Sequence, residues 1–238
     1  MAATLYLIPT PISDDSAIDA VLPPNNMEVI NSLDYFIVEN IRSARRFLSK
    51  VGYSRRIDDA EFVELNEHTT NIGDVAKMVA PIIAGRSAGV ISEAGVPAVA
   101  DPGQAVVALC HSHNIRIVPL VGPSSILMAV MASGLSGQSF AFNGYLPVKE
   151  PDCGRAIKRL ESRAISEHQS QVMIEAPYRN IRLAEAILRH CQPETRLAIA
   201  CDISSPAEYI KMQSIAEWRR TQLPDIQKRP TIFIIGRL

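Results

Sequence analysis

The chain has 238 residues, 47% of them hydrophobic, with 24 Lys and Arg against 25 Asp and Glu, a formal net charge of −1. Such a chain can bury one large core or two modest ones, and two small α/β domains fit best. The near-neutral balance excludes a protein that holds nucleic acid through overall charge, so any such contact has to come from a local patch.

Apolar β-prone runs alternate with helical periodicity almost throughout, the pattern of parallel sheets covered by helices. In the first half, strands are expected near residues 5–8, 35–39, 62–65, 89–91 and 115–120. Helices are expected over 41–50, stopped near Gly52, and over 72–84, stopped by Gly85, with glycine where a left-handed residue ends a helix. The Val121-Gly122-Pro123 turn then interrupts the pattern, which puts a domain boundary near Leu120 and gives domains 1–120 and 121–238. The second half reads as a helix over 124–133, strands near 140–142, 171–175, 197–201 and 231–235, and helices over 153–162, 179–190 and 214–221. No low-complexity linker separates the halves, so two closely packed domains with a cleft between them are expected. Four widely spaced cysteines, Cys110, Cys153, Cys191 and Cys201, show no CxxC pair, which suits reduced thiols in a cytoplasmic protein. His111 and His113 lie two apart, which on a helix sends them to different faces, and no metal is implied. The N-terminus has neither a basic leader nor a long apolar run, so secretion and membrane spanning are not expected.

The segment Ser92-Glu93-Ala94-Gly95-Val96-Pro97-Ala98-Val99-Ala100-Asp101-Pro102-Gly103 follows the apolar run 88–91 and precedes a helical pattern. Strand, small-residue loop and helix in that order make a ligand cradle. Gly95 allows dihedrals that a side chain would forbid, and Pro97 and Pro102 stiffen the loop. Three more segments end strand-like runs: Pro9-Thr10-Pro11-Ile12, Val121-Gly122-Pro123-Ser124-Ser125, and Ile174-Glu175-Ala176-Pro177-Tyr178-Arg179. Ser124 or Ser125 also reads as an N-cap for the helix that follows.

Together, and in this order, these segments resemble the tetrapyrrole methylase superfamily of S-adenosylmethionine (SAM)-dependent methyltransferases, and within it the ribosomal RNA small-subunit methyltransferase I branch. The resemblance implies two α/β domains with the cofactor in the cleft between them. It puts SAM against Pro11, Glu93, Ala94, Gly95, Val96, Val99, Ser124, Ser125, Ile126, Ile174, Cys201, Pro230 and Thr231. Glu39-Asn40-Ile41-Arg42 resembles the family's Glu-Asp-Thr-Arg element, and Glu67-His68 its Glu-His pair. Methyl transfer is an in-line displacement in which orientation supplies much of the acceleration, and a ribose hydroxyl acceptor benefits from a base. The candidate catalytic residues, whether as base or as donors that stabilise the developing anion, are Glu39, Arg42, His68 and Asp101. Arg42, Arg45 and Arg46 share a helical face that could contact RNA phosphates, as well as reading as a plain solvated face. With Glu67, Tyr178 and Arg179 they form the candidate substrate set. The resemblance also implies a homodimer, with Ile126, Leu127, Val130 and Met131 as apolar helix positions that equally read as core.

Several positions depart from the family. Ser13 stands for glycine, Glu93 for aspartate, Val96 for threonine and Tyr178 for the histidine of Ser-Pro-His-Arg. The run Cys201 to Glu208 replaces an Arg-Glu-Leu-Thr-Lys-x-x-Glu element, and the chain ends at Leu238 without the C-terminal extension common in the ribosomal RNA enzymes. SAM-dependent transfer to ribosomal RNA is the expected function. The alternatives are the same chemistry on a small molecule, as in precorrin methylases and diphthine synthase, or a SAM-binding protein without catalysis.

Overall fold

Short runs such as Tyr35-Phe36-Ile37-Val38 and Ala88-Gly89-Val90-Ile91 carry no polar alternation, and strands of that kind are stable only with both faces covered. In the computed structural model, which describes residues 3–65 and 71–238, both runs are buried at every position. The chain divides into two compact units, Met1–Ser124 and Ser125–Leu238.

The first unit is a parallel sheet of β1 (Thr4–Ile8), β2 (Tyr35–Val38), β3 (Glu61–Glu64), β4 (Ala88–Ile91) and β5 (Arg116–Pro119), in the order β3-β2-β4-β1-β5. Helices α1 (Ile18–Val21), α2 (Pro24–Ser32), α3 (Ile41–Lys50), α4 (Ile72–Ile83) and α5 (Gln104–Ser112) connect them. On one face, Ile30 of α2 and Ala44, Phe47 and Leu48 of α3 pack with Ile8, Phe36, Val38 and Ile91. On the other, Val75, Met78 and Val79 of α4 and Val106 and Cys110 of α5 pack with Leu5, Tyr35, Ile37 and Val90. Asn40 caps α3 by accepting the Ser43 N–H at 3.0 Å. Beyond α3 and α4, Gly52 and Gly85 take φ of +71° and +104°, the left-handed stops expected there. Sequence periodicity missed α2, because the Pro23-Pro24-Asn25-Asn26 start reads as a loop; proline is nonetheless well suited to the first turn, where no amide donor is needed. β1 and β4 are neighbours, yet the chain leaves β1 toward β2 and β4 toward β5, on opposite sides. Such a switch point, at the carboxyl ends of the strands, is where open α/β sheets form ligand crevices.

The second unit corrects the expectation of a parallel sheet. Its strands β6 (Phe140–Tyr145), β7 (Ser170–Ile174), β8 (Arg196–Cys201), β9 (Tyr209–Ser214) and β10 (Thr231–Gly236) lie in the order β6-β7-β10-β8-β9. β6 and β7 are parallel, whereas β10 runs antiparallel to β7 and β8, and β9 antiparallel to β8. The short 202–208 connection between β8 and β9 allows only an antiparallel pair. The helix expected over 214–221 is likewise corrected: β9 continues to Ser214, and α9 (Ile215–Trp218) is a single turn held by a Ser214–Glu217 capping box. Helices α6 (Ser125–Ser133), α7 (Asp152–Ser166) and α8 (Asn180–His190) complete the unit. Ile157 and Leu160 of α7 and Leu183 and Ile187 of α8 close the core over Met173, Leu197 and Phe233. Among the described residues, no helix is long and apolar enough to cross a membrane.

Candidate functional site

In the first unit, the strand-end loops picked out in the sequence interlock at the switch point. Thr10 and Gly95 form an isolated antiparallel bridge, Thr10 N–H donating to Gly95 O at 2.9 Å and Gly95 N–H to Thr10 O at 3.1 Å. Ser92 Oγ donates to Gly95 O at 2.9 Å, and Thr10 Oγ1 to Ser92 O at 3.4 Å. Gly95, with φ of +78°, is buried; a Cβ there would lie 3.2 Å from Ile12 Cγ2 and 3.3 Å from Pro123 O. A Cβ at Gly122 would run into the Pro9 ring, and Asn26 Nδ2 ties the same turn by donating to Val121 O at 2.8 Å. The backbone of Gly95 is thus committed to Thr10, and its role is to hold the loops together. The surface offered to a ligand comes from its neighbours: Glu93, Ala94 and Val99 are exposed, and Val96 and Pro11 are half-buried. Ala98 and Ala100 adopt φ of +64° and +62°, a left-handed conformation costly for alanine and tolerated where the surroundings enforce it, commonly at functional sites.

Three carboxylates meet beside this loop. Glu93 N–H donates to Glu39 Oε2 at 3.4 Å, and Ser43 Oγ donates to Glu93 Oε1 at 2.8 Å. Burial pushes the Asp101 carboxyl up to about 6, with the Glu39 and Glu93 charges adding to the effect. Glu39 is also raised, by burial first and by the Glu93 charge after the opposing Glu93 hydrogen bond. Asp101 is thereby poised to exchange a proton close to neutral pH.

Arg42, Arg45 and Arg46 of α3 line an open groove of about 630 Å³ together with Asn40, Ile41, Ser49 and Glu64. They are not equivalent. Arg45 is ion-paired with Asp58, and its guanidinium lies 5.7 Å from the centroid of the Phe62 ring. Arg42 and Arg46 are exposed, Arg46 reaching Ser43 Oγ at 3.5 Å. The remaining candidates from this unit, Glu67 and His68, lie outside the described residues.

The second unit gathers its own candidates at one end of its central strands. Because β10 runs antiparallel to β7 and β8, its first residue Thr231 pairs with the last residue of β8, Cys201, and Ile232 pairs with Ile174 at the end of β7. Ile174 is half-buried and Pro230 exposed, whereas the Cys201 side chain is wholly within the core. Thr231 Oγ1 donates to Arg229 O at 2.9 Å and accepts from Asn180 Nδ2 at 3.1 Å. Arg179 is held on buried Glu175, its Nη2 and Nε donating to Oε1 at 2.6 and 2.9 Å, while its guanidinium lies 4.9 Å from the Tyr178 ring centroid. Ser125 and Ile126 open α6, and Ser124 directly precedes it.

Two residues with structural parts there escaped the sequence reading. Arg229 clamps the divergent loop after β8: its Nε donates to Asp202 Oδ2 at 2.7 Å and its Nη2 to Ala207 O at 2.6 Å. Buried Asn180 donates to Ile226 O and Arg229 O, at 3.0 and 2.6 Å. The signal for Arg229 was its place just before Pro230-Thr231; Asn180 had none beyond a polar residue on an apolar helix face. The same loop holds Asp202 and Ser204 at φ of +48° and +66°. Among the described residues, no group of three His, Cys, Asp or Glu side chains could hold a metal ion.

No protein-family profile matches the chain. Curated relatives named "Ribosomal RNA small subunit methyltransferase I" do: that of Mesorhizobium japonicum is 32% identical over 209 residues, 87% of this chain and 66% of the relative. Those of Vibrio cholerae and Escherichia coli O157:H7 are 29% and 26% identical over 91% and 90% of this chain, and 70% of each relative. The chain therefore spans about two thirds of the length of the relatives it matches. Among solved structures, the methyltransferase CobJ superposes with a TM-score of 0.64 at 14% identity, covering 99% of this chain and 93% of CobJ. Uroporphyrin-III-C-methyltransferase from Thermus thermophilus superposes with a TM-score of 0.54 at 18% identity, covering 100% and 93%. The chain is thus similar in sequence, over most of its length, to relatives named ribosomal RNA small subunit methyltransferase I, and it shares its fold with CobJ and uroporphyrin-III-C-methyltransferase.

Proposed function

We propose that the protein is a SAM-dependent methyltransferase acting on a ribose hydroxyl of ribosomal RNA. The observation that carries this reading is the interlocked edge of the first unit, where three strand-end loops join beside Glu39, Glu93 and Asp101 in a chain 32% identical to a curated ribosomal RNA methyltransferase. SAM carries no phosphate, so its site needs no glycine-rich phosphate loop. It needs exposed polar backbone with small apolar walls, and the 93–99 loop fits, with Ala94 and Val99 open and a stiff, left-handed backbone. Bound there, the cofactor supplies a methyl carbon already activated by its sulfonium. This chain's own part is to bind, orient and accept a proton. Asp101, ionised above about pH 6, takes the hydroxyl proton as the oxygen attacks. Arg42 and Arg46 hold RNA phosphates along α3, and Tyr178 and Arg179 are the second unit's own candidates for RNA contact. We further read the protein as a cytoplasmic homodimer; Leu127 and Met131, 52% and 82% exposed on α6, support an apolar contact, while Val130 is core.

Calorimetry with SAM and S-adenosylhomocysteine, followed by transfer of labelled methyl groups to small ribosomal subunits, tests the proposal. Saturable binding without added metal, and label in RNA that mass mapping assigns to a ribose, is the expected result. No saturation with either ligand at millimolar concentration sinks the cofactor assignment. Binding without transfer to RNA favours the small-molecule reading.

A further inference from the structure

The end of β6 is built to present one side chain. The pairing of β6 with β7 shifts register between Phe142 and Tyr145, and Gly144 inside the irregularity has φ of +62°, a conformation that favours glycine. Asn143 braces it, its Nδ2 donating to Ala141 O at 3.0 Å, Gln171 Oε1 at 3.2 Å and Val172 O at 3.3 Å. The outcome is a tyrosine, Tyr145, left 63% exposed beside Ile174, its register partner on β7. An undistorted strand would continue the alternation of inward and outward side chains, so the bulge re-aims this position.

Tyr178 stands in the turn that follows β7, and it too is exposed, at 60%. Its orientation is secured from below. Arg179 Nη1 donates to Tyr178 Oη at 2.6 Å with the guanidinium over the ring, and Arg179 is itself anchored on Glu175, whose side chain is 6% exposed. Tyr145, paired with Ile174 at the end of β7, stands next to the turn that carries Tyr178 and Arg179. Two exposed aromatic rings and an arginine held by a buried carboxylate are an expensive arrangement to leave facing water.

We propose that Tyr145, Tyr178 and Arg179 form a stacking platform for an unpaired RNA nucleobase. The inference rests on the RNA-methylating reading above, and goes beyond it by assigning base recognition to the second unit and by adding Tyr145. Sequence-specific RNA readers stack splayed-out bases on tyrosine and arginine planes. Every base offers a π-face, and the guanidinium, largely neutralised by Glu175, contributes a flat surface and donors more than net charge. An apolar partner would not call for the arginine, and a phosphate would not call for the rings.

The test compares the wild type with Tyr145→Leu, Tyr178→Leu, the double variant and Tyr178→Phe, each checked for a wild-type thermal transition. The ligands are small-subunit ribosomal RNA, a short oligocytidylate and the same oligomer with abasic sites, followed by fluorescence anisotropy. Each leucine variant is expected to weaken binding of the base-bearing RNAs by about 5- to 100-fold, as loss of one stacked base does. Tyr178→Phe should retain most of the affinity. Against the abasic oligomer, the variants and the wild type should bind alike, because the contact they lack is already absent. Equal affinity of wild type and leucine variants for base-bearing RNA, or equal losses on abasic RNA, overturns the platform while leaving the methyltransferase reading intact. A wild type that neither binds nor methylates ribosomal RNA overturns both. Self-association lost in the variants, with RNA binding unchanged, marks the rings as a protein contact and overturns the inference.

Discussion

Replacing Asp101 with asparagine separates the cost of burying this carboxylate from its use. The folded protein holds the Asp101 proton up to about pH 6, against an ordinary value of 3.8, chiefly through burial and then through the charges of Glu39 and Glu93. Between those values the native state binds a proton that the unfolded chain has released, so this group's contribution to stability falls as pH rises through the window and is flat above it. Two pKa units correspond to about 3 kcal/mol; because Asp101 is partly exposed and screened by solvent, a destabilisation of about 1–2 kcal/mol at pH 7.5 is the working figure. Asp101→Asn removes the charge at constant shape. It should therefore be more stable than the wild type by about that amount at pH 7.5, and by close to nothing at pH 4, in urea unfolding with linear extrapolation. Methyl transfer should move the other way, falling by about 10²–10⁴-fold, the usual contribution of a positioned general base. The wild-type rate should also decline below about pH 6, and that acid limb should vanish in the variant. A variant less stable than the wild type at pH 7.5, or a stability difference independent of pH, refutes the burial argument. Wild-type turnover with an unchanged acid limb refutes the role as base.

Gly95→Val places a β-branched side chain at φ of +78°, against Ile12 and the Pro123 carbonyl; it should cost about 1–3 kcal/mol in chemical denaturation and weaken SAM binding by calorimetry, because the loops are joined there. A variant with wild-type stability and affinity would show that the Thr10–Gly95 bridge does not shape the site. Replacing Arg42 and Arg46 with alanine should flatten the salt dependence of RNA binding by about 0.7–0.9 per lost phosphate contact, whereas Arg45→Ala should change it less, since Asp58 already holds that charge. Slopes unchanged from the wild type in all three variants leave α3 as a solvated face. Light scattering should give twice the 26.1 kDa chain mass at micromolar concentration, and Met131→Glu should reduce it; a monomer throughout refutes the dimer.

Local chemistry was legible in the sequence wherever it depends on neighbours along the chain. The parallel strands of the first unit are short runs with no polar alternation; α3 matched its expected span because its apolar positions recur at helical spacing between the Asn40 cap and Gly52. The strand-end loops were found for the same reason, since glycine, proline and small residues in a fixed order restrict the backbone before anything packs. What the sequence could not convey was the partner of each group. The antiparallel entry of β10 depends on where a strand inserts between β7 and β8, and no local period encodes that. Gly95 read as a backbone open to ligand, yet its amide and carbonyl are both taken by a residue 85 positions away. The raised Asp101 carboxyl, the sequestration of Arg45 by Asp58 and the clamp from Arg229 to Asp202 all arise between separate elements that no local period links. Electrostatic shifts and hydrogen-bond commitments fall steeply with distance in space and are indifferent to separation in sequence, so the tertiary structure alone decided them.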